Sequence, residues 1–118
     1  MSEVRKLAAI LVADIVGYSR LARADEEGTL TKLRVLWTDL LAPAIASRQG
    51  RVVKRTGDGA IVAFQSVVDA VRSAVEIQSA VAGRNEGADD ERCIRFRIGL
   101  HLGDVVEEAD GDLMGDGV

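Results

Sequence analysis

The chain has 118 residues, of which 47% are hydrophobic and 29% are charged, and its formal net charge is −4 at pH 7. This length and composition are typical of one small globular domain with a single core, so we expect neither a second domain within these residues nor disorder over most of them. The negative charge argues against a nonspecific nucleic-acid binder, because such a protein needs a basic face to release counterions from phosphates.

The sequence favours a cytoplasmic location. Cys93 is the only cysteine, so no disulfide can form within the chain. Arg5 and Lys6 precede an apolar run that imitates a signal peptide, but Asp14 interrupts the run and no convincing cleavage site follows. No stretch reaches the roughly 20 apolar residues that span a bilayer. We therefore expect a cytoplasmic domain without a membrane segment.

The first half of the chain predicts a strand followed by helices. The run LAAILVAD over 7–14 has strand length and ends in a carboxylate. Residues 18–24 are expected to form a short helical or irregular segment, and the acidic cluster 25–28 is expected to be a loop. Apolar residues at helical spacing predict an amphipathic helix from Thr29, which kinks or restarts at Pro43.

The stretch VVKRTGDGAIVAF over 52–64 predicts a β-hairpin. Two apolar, β-branched runs flank a Thr-Gly-Asp-Gly turn, in which we expect glycine to supply positive φ values. A second helix is expected over 66–81, and its start, with Ser66 three residues before Asp69, resembles a capping box.

The second half ends in a polar loop and a further strand. The segment 83–91 is polar and contains glycine, whereas 95–106 alternates polar and apolar residues as a half-buried strand does. We expect Gly103 and Asp104 to break this strand and Val105 to Glu108 to resume as a short fifth strand. The order β, α, β, β, α, β predicts an α+β, ferredoxin-like fold, an antiparallel sheet with helices on one face.

Two aspartates at strand ends are the candidate functional residues. Asp14 ends the first strand and Asp58 lies in the hairpin turn, and such a pair on one sheet edge can hold one or two divalent cations. The alternative is that each acid only caps its turn. Lys54 and Arg55 are expected to face opposite sides of their strand, and the single histidine, His101, is expected to be a partly buried strand residue.

Four motifs in order resemble one known family. LVADIVGYS, VVKRTGDGAIVAF, FRIGLHLGDVV and DLMGDGV are together similar to the catalytic domain of class III adenylate/guanylate cyclases. The resemblance runs from about Ala8 to Val118 and identifies residues 1–118 as the N-terminal portion of such a domain. In the family pattern, a helix with an asparagine and an arginine that steady the transition state follows after the position of Val118.

The resemblance implies a two-metal site for Mg²⁺ or Mn²⁺. Asp14 and Asp58 match the two metal-binding aspartates of the family, and the resemblance implies that they are catalytic residues through the metals they hold. The backbone carbonyl of Ile15 is implied as a further metal ligand. The resemblance also implies that a turn offers backbone amides to the nucleotide triphosphate, and this turn consists of Val16, Gly17 and Tyr18.

The resemblance further implies how the base is read. Lys54 matches the residue that donates to the purine ring, and Asp112 matches the residue that accepts from the adenine amino group. This polarity suits ATP, since guanine presents the opposite polarity at both places. Sites of this family lie at a dimer interface, so we expect a homodimer in which the acids of one subunit face Lys54 and Asp112 of the other.

The implied activity is that of an adenylate cyclase. The ribose 3′-hydroxyl attacks the α-phosphorus with the help of two metal ions, and ATP becomes 3′,5′-cyclic AMP and pyrophosphate. The alternative is a noncatalytic nucleotide-binding or dimerisation module that regulates a partner cyclase.

Overall fold

The structure of the chain is a computed structural model that describes residues 4–87, 93–107 and 113–115. Its strands and helices follow in this order along the chain: β1 Val4–Ile15, α1 Tyr18–Ala24, α2 Glu26–Leu36, a π-helical turn Trp37–Leu41, α3 Ala42–Ser47, β2 Arg51–Arg55, β3 Gly59–Phe64, α4 Val67–Asn85, β4 Phe96–Glu107 and β5 Leu113–Gly115. None of the helices in this described part combines the length and the apolar character that a membrane crossing needs.

The strands form one antiparallel sheet in the order β2-β3-β1-β4-β5. β1 lies in the middle and pairs with β3 on one side and with β4 on the other. The first four strands have the arrangement of a ferredoxin-like fold, so the predicted fold class is confirmed. A fifth strand is present at Leu113–Gly115 and pairs with the end of β4, but its expected position is wrong, because Val105 to Glu107 belong to β4 itself.

The two faces of the sheet bury different clusters. The helix face carries the main core, where alternate residues of β1, Ala9, Leu11, Ala13 and Ile15, pack with helical residues such as Ile77. The far face is the opposite side of the sheet. It carries a smaller cluster that consists of Ala8, Ile10, Val53, Ile61 and Ala63. Because Asp14 alternates with Ala13 and Ile15 along β1, it belongs to the far face.

The acidic cluster is the start of a helix and not a loop. The Asp25 side chain accepts a hydrogen bond from the Gly28 amide at 2.9 Å, which makes Asp25 the N-cap of α2. Glu26 and Glu27 lie in the first turn, where negative charge favours the helix dipole. The predicted cap of α4 is confirmed, since the Ser66 hydroxyl accepts from the Asp69 amide.

The expected break in the last long strand is wrong. β4 continues through Gly103, which pairs with Ala8, and through Asp104, which pairs with Leu7. The long β1 offers ladder partners along this whole stretch, and backbone pairing therefore overrides the low strand propensity of glycine and aspartate.

Pro43 shapes the helical layer as predicted. It has no N–H and lies at the start of α3, where no intrahelical donor is needed. The preceding turn widens into a π-helix, in which the Ala42 amide donates to the Trp37 carbonyl. The helix therefore restarts at the proline, and the wide turn begins at Trp37.

Gly59 is required by close approach of two strands and not by its backbone angle. Gly17 and Gly87 are the glycines with positive φ in the described ranges, so the expected positive φ in the hairpin turn is wrong. A Cβ atom at Gly59 would lie 2.1 Å from the carbonyl oxygen of Ala13 and 3.1 Å from the Cα of Asp14. The missing side chain lets the start of β3 lie directly against the end of β1.

We expect Gly59→Ala to lower the free energy of unfolding by roughly 1 to 3 kcal/mol, because the strand backbones must separate to admit the methyl group. Gly57→Ala is the matched control, since a Cβ there meets nothing within 4 Å. It should change stability by less than about 0.5 kcal/mol. Urea unfolding measures the free energy of unfolding of both variants. Equal losses of stability in the two variants would show that the close approach of Gly59 to Ala13 does not require glycine.

Candidate active site

Three strands end together around Asp14. In the ladder, Asp14 pairs with Gly59 of β3 on one side and with Arg97 of β4 on the other. Asp58 precedes Gly59 and therefore lies beside the end of β1. The sheet thus brings both sequence-predicted acids to the same end of adjacent strands, where both residues are partly exposed to solvent.

Arg97 is a site residue that sequence reasoning missed. Its Nε donates to Asp14 Oδ1 at 3.2 Å, and its Nη2 donates to Oδ2 at 3.4 Å. The side chains are 72% exposed for Arg97 and 39% exposed for Asp14, so water screens the pair. The only signal in the sequence is the position of Arg97 in the alternating strand pattern, and that pattern does not identify its partner.

A β-bulge decides which way Lys54 faces. The register between β2 and β3 shifts between Val52 and Lys54, so that Lys54 pairs with Ile61 and Arg55 pairs with Ala60. Ile61 belongs to the far-face cluster and Ala60 to the main core. Lys54 therefore shares the far face with Asp14, and Arg55 lies on the helix face, as alternation predicts.

Lys54 and Asp14 are separated on this face by the width of β3. Lys54 is level with Val12, the partner of Ile61 in β1. From strand and residue spacings, its Cα lies about 10 Å across and about 7 Å along the sheet from that of Asp14. Asp112, the other expected base-reading residue, lies outside the described residues.

The turn after β1 supplies fewer free amides than expected. The Val16 amide donates to the Arg95 carbonyl at 2.9 Å, so it is not available to a nucleotide, and the expectation for Val16 is corrected. Gly17, with φ 69°, is the N-cap of α1, and Tyr18 is its first residue. The first N–H groups of a helix lack intrahelical partners, which leaves those of Gly17 and Tyr18 as candidate donors.

The donors near Asp14 suit a hard cation. Over the described ranges, no group of three or more His, Cys, Asp or Glu side chains is placed to hold a metal ion. Asp14, Asp58 and the carbonyl of Ile15 offer only oxygen atoms as ligands. Mg²⁺ prefers oxygen ligands of this kind, with substrate phosphates completing its coordination shell. The Asp14 carboxylate already faces one cation, the Arg97 guanidinium, and is accessible to solvent.

The other candidate residues lie apart from this group. His101 is exposed on the far face, opposite Ile10, and the expectation that it is partly buried is wrong. Cys93 is buried, and its Sγ lies 3.9 Å from the Asn85 carbonyl oxygen. Neither contributes to the end of the sheet at which Asp14 and Arg97 meet.

A family model and two curated relatives agree on adenylate or guanylate cyclases. Residues 2–116 match the sequence model of the adenylate and guanylate cyclase catalytic domain. A relative from Rhizobium meliloti (strain 1021), named "Putative adenylate cyclase 3", is 51% identical over 97% of this chain and 19% of its own length. An adenylate cyclase of Streptomyces coelicolor (strain ATCC BAA-471 / A3(2) / M145) is 31% identical over 95% of this chain and 28% of its own length.

A solved cyclase structure is also similar to this chain. The adenylate/guanylate cyclase/hydrolase from Silicibacter pomeroyi superposes with a TM-score of 0.89 at 42% identity. The match covers 98% of this chain and 66% of that one. The chain therefore spans about two thirds of this solved structure and less than a third of the two curated relatives.

We expect the Asp14–Arg97 pair to contribute little to stability. A double-mutant cycle with Asp14→Asn and Arg97→Met should give a coupling of about 0.2 to 1 kcal/mol that falls as salt is added, because both side chains are exposed to screening. Urea unfolding at low and high salt measures it. A salt-independent coupling above about 2 kcal/mol would instead make the pair a structural element.

Proposed function

Because this chain belongs to the adenylate and guanylate cyclase catalytic domain family, we propose that it converts ATP to 3′,5′-cyclic AMP and pyrophosphate. The observation that carries the proposal is the position of Asp14 in the ladder. It has Gly59, the neighbour of Asp58, on one side and the cation Arg97 on the other. Two carboxylates and a guanidinium at one end of a sheet suit a substrate that is a metal-bound polyphosphate.

The reaction needs one bond formed and one broken at the α-phosphorus. The 3′-hydroxyl oxygen bonds to it, the bond to the β-phosphate oxygen breaks, the hydroxyl proton passes to water, and pyrophosphate leaves. Two Mg²⁺ or Mn²⁺ ions supply Lewis acidity and neutralise phosphate charge when bound. Asp14 and Asp58, with the carbonyl of Ile15, are the residues that would hold them.

The remaining residues at this end of the sheet orient the triphosphate. Arg97 is a planar, permanently charged donor that now pairs with Asp14, and it would turn to phosphate oxygens once a metal ion takes its place beside the carboxylate. The amides of Gly17 and Tyr18 donate to the same group, as the Val16 amide cannot. The triphosphate is thereby held while the ribose reacts.

Lys54 and Asp112 are the proposed base readers. Lys54 lies on the far face together with Asp14, the side opposite the helices. A second copy of the chain that meets this face would bring its own Lys54 to the acids of the first. We therefore propose a homodimer with shared sites, ATP as the substrate, and residues 1–118 as the N-terminal portion of the catalytic domain.

The first test is cyclic AMP formation from ATP and Mn²⁺. The chain and a version extended by the helix that the family pattern places after Val118 are assayed side by side. Asp14→Asn should lower the rate of cyclic AMP formation by roughly 100-fold or more, because it removes a negative charge that would hold the metal ions at the reacting phosphate. Asp39→Asn is the matched control, since this exposed acid pairs with Arg84 on the helical layer.

The control variant should keep its rate within about twofold, as expected for a surface substitution away from the site. If the extended form makes no cyclic nucleotide, the cyclase proposal fails, and the noncatalytic nucleotide-binding or dimerisation module takes its place.

The second test concerns the base. In the extended form, Lys54→Glu together with Asp112→Cys should shift the ratio of kcat/KM for ATP and GTP toward GTP by at least roughly tenfold, since the donor and acceptor that suit adenine are removed. Steady-state kinetics with both nucleotides measures the ratio. An unchanged ratio would remove these two residues from base recognition.

A further inference from the structure

Arg55 and Trp37 make a contact that the proposed reaction does not use. The guanidinium carbon of Arg55 lies 3.8 Å from the centroid of the Trp37 ring, which is within cation–π distance. Trp37 packs against the main core, and Arg55 ends the strand that carries Lys54. The contact therefore ties the bulged end of β2 to the helical layer.

The end of β2 has an alternative register without the bulge. In the observed register, Lys54 lies opposite Ile61 and Arg55 lies opposite Ala60. If the ladder continued regularly from Val52, each of these residues would shift by one partner. Since a one-residue shift moves every side chain to the other face, Lys54 would then face the helices and Arg55 would face the far side.

The ring of Trp37 favours the observed register. A planar guanidinium stacks on an aromatic face, whereas the compact and strongly hydrated ammonium of a lysine is a poorer partner there. The regular register would replace Arg55 by Lys54 at the ring. The sequence order Lys54-Arg55 therefore places an arginine at the ring only when the ladder is bulged. An Arg-Lys order would place the arginine there only in the regular ladder.

The helical layer holds the ring at this position. Trp37 begins the π-helical turn that precedes Pro43, and the Ala42 amide donates to its carbonyl. The ring also borders a cavity of about 30 Å³ that Arg55 and Asp58 line. The stack thus stands directly beside the hairpin turn of the site.

We propose that the Trp37–Arg55 stack holds β2 in its bulged register and thereby keeps Lys54 on the far face, where it selects the base. Trp37 and Arg55 are positioning residues, because they act through Lys54 and do not touch the nucleotide. The role of Lys54 in selection rests on the proposed function, but the register itself does not depend on it.

The register is tested by NMR on Arg55→Met, which removes the cation and keeps an unbranched side chain. Cross-strand nuclear Overhauser contacts of Ala60, which pairs with Arg55 in the observed register, should move from residue 55 to Lys54 in a substantial fraction of molecules. Arg55→Lys retains a cation and Trp37→Phe retains a ring, so both should give a smaller fraction of molecules in the shifted register. These two variants provide the test if Arg55→Met does not fold. Arg72→Met, an exposed helical site, is the control and should keep the wild-type contacts.

The functional consequence is tested by nucleotide preference in the extended form. Arg55→Met should lower the ATP-to-GTP ratio of kcat/KM by about 3- to 10-fold, in line with the strength of such a contact. A purely structural loss would lower the rates with ATP and GTP alike and leave the ratio unchanged.

Each result has one meaning. Ala60 contacts that stay with residue 55 in Arg55→Met, or an unchanged ratio in an active enzyme, overturn the inference and leave the cyclase proposal standing. A shifted register in Arg55→Met, together with an extended wild-type chain that makes no cyclic nucleotide, supports the stack as the register device and overturns the proposed function instead.

Discussion

The close contact between β1 and β3 at Gly59 is the constraint on which the site depends. Its absent side chain lets the hairpin turn lie against the last residues of β1, since a Cβ atom would stand 2.1 Å from a backbone oxygen. With this register, Asp14 lies beside the residue that follows Asp58 and opposite Arg97. The positions of the acids are thus consequences of backbone packing.

The two faces of the sheet have different roles: one buries most of the apolar core, and the other carries charged residues of the candidate site. Its helix face buries the large apolar side chains, such as Phe64 and Leu11, whereas its far face combines a small apolar cluster with charged residues that include Asp14 and Lys54. Charges on the far face remain near water, so they avoid the desolvation cost that burial against the helices would bring. The bulge in β2 places Lys54 on the charged side.

Much of this fold follows from sequence periodicity, and part of the site does not. The first three strands, the capped helix after Ser66 and the restart at Pro43 are predicted from local patterns, because each depends on neighbours within a few residues, whereas the extent of β4 and the place of β5 are not. The bulge at Val53, the Arg97 partner of Asp14 and the steric need for Gly59 depend on contacts between strands far apart in the chain. A local sequence pattern does not show which residues of two distant strands pair with each other.

Electron paramagnetic resonance of bound Mn²⁺, with a nonreacting ATP analogue, shows whether Asp14 and Asp58 hold the same pair of ions. We expect a spin-coupled pair of ions, because the two ions of such a site lie about 4 Å apart, and we expect the coupling to be lost when either aspartate is replaced by asparagine. Uncoupled ions, or a variant at one aspartate that leaves the pair intact, would contradict this expectation.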